Sequence, residues 1–182
     1  MRMAATTTHL MTVEEFRKLP EDTGAVYHEL RHGEVVAVTR PKLKQALIQS
    51  RVRGLLQQFA PTDSLVESTM AFRPLPEHEL WVADIAYLSA ERFRQADPED
   101  NIRGAPELVI EVLSPSKTAA EILDKEQLCL ANGALEFWVV DPDRHHVRVS
   151  TSHGNARIYG LGDDIPLALF GNARLAVNAL FE

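Results

Sequence analysis

The stretch Pro106-Glu107-Leu108-Val109-Ile110-Glu111-Val112-Leu113 constrains the fold more than any other. Its apolar residues fall on odd and even positions alike, so as a strand it must be covered on both faces and belongs in the middle of a sheet. Only Glu107 and Glu111 interrupt it.

The elements around this strand are bounded by their own punctuation. Thr12-Val13-Glu14-Glu15 has the capping-box pattern and predicts a short helix running toward Pro20. Tyr27 to Leu30 and Glu34 to Val38 are β-prone runs around Arg31-His32-Gly33, which predicts a hairpin. After Pro41, the apolar residues Leu43, Leu47, Ile48, Val52, Leu55, Leu56 and Phe59 recur at helical spacing up to Pro61. Leu65 to Arg73 and Trp81 to Leu88 read as strands separated by Pro74 and Pro76, with a helical turn over Glu91 to Gln95. Thr118 and Glu121 repeat the capping box and open a helix that Asn132-Gly133 ends. Phe137 to Val140 returns as a strand, Asp141-Pro142-Asp143 makes a turn, and His145 to Thr151 and Arg157 to Tyr159 are further strands.

This alternation predicts an α/β (α+β) fold with a central mixed β-sheet flanked by helices. With 182 residues and no linker or repeat, the chain is expected to form one domain over residues 1–182, its first ten residues a flexible N terminus. No apolar run approaches the roughly 18 residues a membrane helix needs, and the start MRMAATTTHL lacks a signal-peptide core. A single cysteine, Cys129, forms no internal disulfide and no cysteine-based zinc site, so a cytoplasmic location is expected.

The chain has 19 basic and 26 acidic residues, a net charge of −7, which gives nucleic acid no overall attraction. The segment from Arg40 to Thr62 is the exception. It has no acidic residue and carries Arg40, Lys42, Lys44, Arg51 and Arg53. These five are the candidate nucleic-acid contacts, although such residues usually form only the solvated rim of an amphipathic helix.

The candidate chemistry lies in two strands. Asp84 sits within Trp81-Val82-Ala83-Asp84-Ile85-Ala86-Tyr87-Leu88, and Glu111 within the central strand. Two carboxylates brought together in a sheet repel each other and lose hydration, at a cost of several kcal/mol unless a cation compensates. Mg²⁺, or Mn²⁺ in its place, is the natural remedy. It accepts one or two carboxylates, with the Val112 carbonyl as a further oxygen ligand, and keeps positions for water and phosphate. Taken singly, each acid is more readily accounted for by an ion pair of its own or by a strand end in water, since structural ion pairs are common in folded domains. Lys125 lies one turn from Ile122 and Cys129 on a partly apolar helical stripe, from which it could reach the sheet or snorkel to solvent.

The segments MTVEEFRKLP, YHELRHGE, ADIAYL, PELVIEVLSPS and DKEQLCLANGALEFWVVDP, in this order, resemble the Uma-two-type restriction endonucleases of the PD-(D/E)XK nuclease superfamily. The resemblance covers nearly the whole chain. It implies a restriction-endonuclease-like core, Asp84 and Glu111 as metal ligands, and Lys125 as an active-site lysine relocated onto the helix. It also implies that Glu29 is an additional acidic residue, binding the metal or orienting water. The chain departs from the pattern at four places. Ala83 stands where a proline usually precedes the first acid, and Leu113 where many of these nucleases keep their lysine. Lys44 stands in place of a histidine and Cys129 in place of an aromatic residue.

Other readings are weaker. Ser114-Pro115-Ser116-Lys117 has the Ser-x-x-Lys spacing of some acyl-transfer enzymes but lacks their companion motifs, so a helix-capping loop is expected. Asp141, Asp143, His145, His146 and His153 read as exposed hairpin polarity, since adjacent histidines on a strand point to opposite faces. No glycine-rich phosphate loop occurs. The expected function is a Mg²⁺-dependent endonuclease acting on DNA, as a homodimer because cutting a duplex takes two sites or two visits. The alternative is a nuclease-fold protein without turnover that binds nucleic acid or serves assembly.

Overall fold

The computed structural model describes residues 9–20, 24–171 and 173–182. Apart from His9 and Leu10, the expected flexible start lies outside the described residues. Helix α1 (Val13–Phe16) begins at Thr12, which with Glu15 forms the anticipated capping box. Strands β1 (Val26–Arg31) and β2 (Glu34–Thr39) form an antiparallel hairpin. His32 and Gly33 turn it with φ of +52° and +74°, the paired left-handed geometry that matches strand twist. A Cβ on Gly33 would meet the Leu10 Cβ at 2.7 Å, so only glycine fits there.

Helix α2 (Leu43–Phe59) is followed by β3 (Leu65–Arg73), β4 (Trp81–Leu88), α3 (Ala90–Gln95), β5 (Ile102–Arg103) and β6 (Leu108–Val112). Then come α4 (Ala119–Ala131), β7 (Glu136–Asp141), β8 (His146–Thr151) and β9 (Ala156–Tyr159). Seven strands make one mixed sheet in the order β5-β3-β4-β6-β7-β8-β9. As expected, β6 is central and buried along its whole length. It pairs antiparallel with β4 and parallel with β7, and α4 is the crossover that a parallel neighbour requires.

The two faces of β6 enter different cores. Leu108, Ile110 and Val112 pack with Ile48, Val52 and Leu56 of α2, whereas Val109 packs with Ile122 and Cys129 of α4. Helix α2 begins at Leu43, where the apolar periodicity begins. Lys42 is its N-cap residue, so Arg40 lies outside it, and Leu43 and Leu47 remain 76% and 57% exposed.

Elements after Tyr159 are additions to the sequence reading. Strands β10 (Asp164–Leu167) and β11 (Ala173–Ala176) pair, and α5 (Asn178–Phe181) follows. Ile165, Leu167, Leu175 and Leu180 complete the core on the α2 side. The Asp141 hairpin also differs from expectation, because Asp141 is buried. Its Oδ1 accepts the backbone N–H groups of Asp143 and Arg144, and its Oδ2 pairs with the Arg144 guanidinium at 3.0 Å. None of the described helices is long and apolar enough to cross a membrane.

Candidate active site

The site forms where the sheet splits. Strands β4 and β6 pair from Tyr87 opposite Leu108 to Ile85 opposite Ile110, and the ladder stops there. The next residues in that register are Asp84 and Glu111. A second distortion falls at the same level. On β3, Thr69 has φ +56°, and its pairing with Asp84 is missing between Ser68–Ile85 and Met70–Ala83. Across this point the facing of β4 reverses. Trp81 and Ala83 join the core under α4, while Ile85 and Tyr87 join the core under α2.

A split sheet leaves backbone donors without ladder partners, and buried donors need partners. The two acids supply them. The Val112 N–H donates to Asp84 Oδ2 over 2.7 Å, and the Asp84 N–H reaches Glu111 Oε1 at 3.4 Å. Both carboxylates are thereby aimed into the fork from the α4 side.

Two ammonium groups meet them. Lys125, buried beside Ile122 and Cys129 on α4, donates to Glu111 Oε1 and to the Val82 carbonyl, each at 2.6 Å. Lys117, from the loop before α4, lies 2.5 Å from Asp84 Oδ2 and 2.6 Å from Glu111 Oε2. Burial opposes every charge in this group. For Asp84 burial, helped by the Glu111 charge, outweighs the lysines and raises the pKa. For Glu111 burial is outweighed by Lys117 and Lys125, which hold its carboxyl below the usual range. Burial would likewise lower both lysines, but the acids keep them protonated, with pKa values above the ordinary one.

Glu29 arrives on the β1–β2 hairpin, which is tied to β4 by mutual backbone hydrogen bonds between Leu30 and Leu80 of 2.9 and 2.8 Å. Its Oε1 accepts the Val82 N–H at 2.9 Å, and its Oε2 takes the Arg31 Nε at 2.7 Å. Arg31 continues to Glu121 of α4 at 3.1 Å and lies over the Trp81 ring. Glu29 is therefore neutralised by its own arginine. Among the described residues no three Asp, Glu, His or Cys side chains group as metal ligands, although Glu29 lines the same cleft as Glu111, Lys117 and Lys125. Its charge acts on the site through Lys125.

Asp84, Glu111 and the Val112 carbonyl are the oxygens that could hold a cation. Gln45 Nε2 donates to that carbonyl at 3.1 Å, which brings the start of α2 into the site. Beside Glu111, Lys117 and Lys125 opens a cleft of about 70 Å³, walled by Tyr27, Arg31 and Trp81. That volume holds several waters, because one water needs only about 10–15 Å³ measured in this way.

A larger groove of about 560 Å³ adjoins it, lined by Arg40, Lys42, Lys44, Gln45, Leu113, the loop 114–116, Pro142 and Asp143. Ser116 lines both. The structure thus divides the five basic candidates. Arg40, Lys42 and Lys44 line this groove, while Arg51 and Arg53 lie further along α2 and do not. Lys44 meets Asp143 at 2.7 Å and Arg53 meets Glu67 at 3.1 Å.

Sequence reasoning brought Asp84, Glu111 and Lys125 together and missed Lys117 and Gln45. The available signal for Lys117 was its position between the strand acid and the helix cap. The Ser-x-x-Lys spacing has no catalytic geometry, since Ser114 Oγ bonds Ser116 Oγ and Lys117 turns to the acids.

Residues 13–178 match the Uma2 family, described as putative restriction endonucleases. The chain belongs to that family. The Uma2 match takes in every site residue above and supports a nuclease. The fold is similar to that of a putative nuclease belonging to DUF820 from Anabaena variabilis ATCC 29413, with a TM-score of 0.79 and 23% identity over 94% of this chain and 97% of that one. No curated protein matches the chain.

Proposed function

We propose that this Uma2 protein is a divalent-metal-dependent endonuclease that hydrolyses DNA phosphodiester bonds. The observation that carries the reading is the sharing of one ammonium by Asp84 and Glu111, since a partly buried and a buried acid directed at one cation form the donor set that Mg²⁺ or Mn²⁺ accepts. The oxygens present fit such an ion, with Asp84, Glu111 and the Val112 carbonyl as its holders. When bound, the ion polarises the phosphodiester and lowers the pKa of water.

The chain's own residues supply the rest. Lys125, fixed between Val82 and Glu111, offers preorganised positive charge to the phosphorane as negative charge builds on it. Glu29 and Arg31 hold the hairpin against β4 and α4 and keep the cleft walled. Arg40, Lys42 and Lys44 would hold backbone phosphates along the groove. A homodimer would supply one site per strand.

Nicking of supercoiled plasmid in Mg²⁺ or Mn²⁺ tests this reading, with Asp84→Asn and Lys125→Met as controls. Cleavage that requires the metal and both residues supports it, and cleavage unaffected by both substitutions rejects the site. The second reading, a binding or assembly module, draws on the same ammonium, because Lys117 already satisfies both acids without a metal. DNA affinity without cleavage in either metal would favour it.

A further inference from the structure

We propose that Lys117 is a resident counter-cation: its ammonium holds Asp84 and Glu111 together in the metal-free protein and is displaced toward the basic groove when a divalent cation binds. The inference rests on the metal-dependent reading above and assigns Lys117 a role distinct from that of Lys125.

The two lysines use different oxygens. Lys125 takes Glu111 Oε1 and a backbone carbonyl, so it is tied to one acid and to the sheet. Lys117 takes Oδ2 of Asp84 and Oε2 of Glu111, the bridging position that an ion shared by both acids would occupy. Adding a doubly charged ion while both ammoniums remain would set four positive charges against two carboxylates within a few ångströms. Unit charges only a few ångströms apart repel strongly at the effective dielectric of a protein site. One ammonium must leave.

Geometry selects which. Lys125 projects from the middle of α4 and its side chain is 6% exposed, whereas Lys117 is 17% exposed and lies in the loop between β6 and α4, just before the N-cap Thr118. That loop also lines the groove, and Ser116, its neighbour, faces both spaces. Displacement therefore takes the ammonium toward Arg40, Lys42 and Lys44. Metal loading then adds a positive charge beside Arg40, Lys42 and the Lys44–Asp143 pair, where a polyanion would lie, so the ion and the nucleic acid favour each other's binding.

The test uses the full chain and reads no activity. Lysine acetylation followed by mass spectrometry, with and without saturating Mn²⁺, reports the exposure of each ammonium, and calorimetry reports Mn²⁺ affinity in wild type, Lys117→Met and Asp84→Asn. Labelling of Lys117 is expected to rise several-fold with Mn²⁺ while Lys125 stays protected. Lys117→Met should bind Mn²⁺ about tenfold more tightly, since it removes the competitor. If wild type binds Mn²⁺ through Asp84 yet Lys117 labelling does not change, or Lys117→Met binds no more tightly, the inference is overturned and the metal-dependent reading stands. If neither wild type nor Lys117→Met binds Mn²⁺, both fall. The labelling of wild type decides the matter even if the variant does not fold.

Discussion

Asp84 Oδ2 accepts the backbone N–H of Val112 at 2.7 Å, so the first acid of the site is held by the strand that carries the second. The separation of the carboxylates is thus set by the parting of β4 from β6, and their charges are set by what surrounds each.

Those surroundings predict opposite effects on stability. Asp84 is raised by burial and by the Glu111 charge, so Asp84→Asn relieves a repulsion and should leave the fold as stable or more so. Glu111→Gln strands the buried Lys125 ammonium and should cost about 3 kcal/mol. Urea unfolding of the two variants checks this, and equal losses would contradict it.

Lys125→Met should lower the single-turnover cleavage rate by at least about 10²-fold, the usual loss for one preorganised charge-stabilising donor. Mn²⁺ affinity should persist, because the oxygens that would hold the ion remain. A quench-flow rate and a calorimetric titration on the same preparation separate loss of chemistry from loss of metal.

The hairpin is clamped to α4 by His32, whose Nε2 lies 2.8 Å from Asp124 and whose Nδ1 lies 3.0 Å from Glu79. The hydrogen bond to Asp124, joined by the Glu79 charge, outweighs burial and raises the His32 pKa. A raised histidine adds stability that is complete below its unfolded pKa of about 6.5 and is lost as pH rises through the folded value. His32→Asn, which suits the positive φ, should therefore lower the melting temperature at pH 5.5, and the gap from wild type should close by about pH 8.5. A gap independent of pH would contradict the clamp.

The basic residues make separable predictions for DNA binding. Lys42 lines the groove, and among the described residues it has no carboxylate partner, whereas Arg53 is engaged with Glu67. Lys42→Gln should reduce the slope of log affinity against log salt by about 0.9 for duplex DNA, and Arg53→Gln should leave it nearly unchanged. Fluorescence anisotropy across a salt series measures both.

Much of this architecture was legible in the sequence because it is written in short-range chemistry. Thr12 with Glu15 and Thr118 with Glu121 announce helix starts, and the two-faced apolarity of Leu108 to Val112 announces the central strand. Asp84, Glu111 and Lys125 stood out as charges within apolar patterns. Lys117 did not, because a lysine in a loop breaks no periodicity and its partner Asp84 is 33 residues away. Gln45 was hidden for the same reason, since it meets Val112 only once α2 has packed on the sheet. The reversal at Thr69 depends on a backbone angle that its side chain does not advertise. The C-terminal strands are four residues each, too short for alternation to declare them.

The central claim is that Asp84 and Glu111 share one divalent ion. Anomalous diffraction at the manganese edge from crystals grown with Mn²⁺ tests it directly. A single peak bonded to carboxylate oxygens of both residues is predicted; density showing both acids still bridged by the Lys117 ammonium, with no peak between them at saturating Mn²⁺, would contradict it.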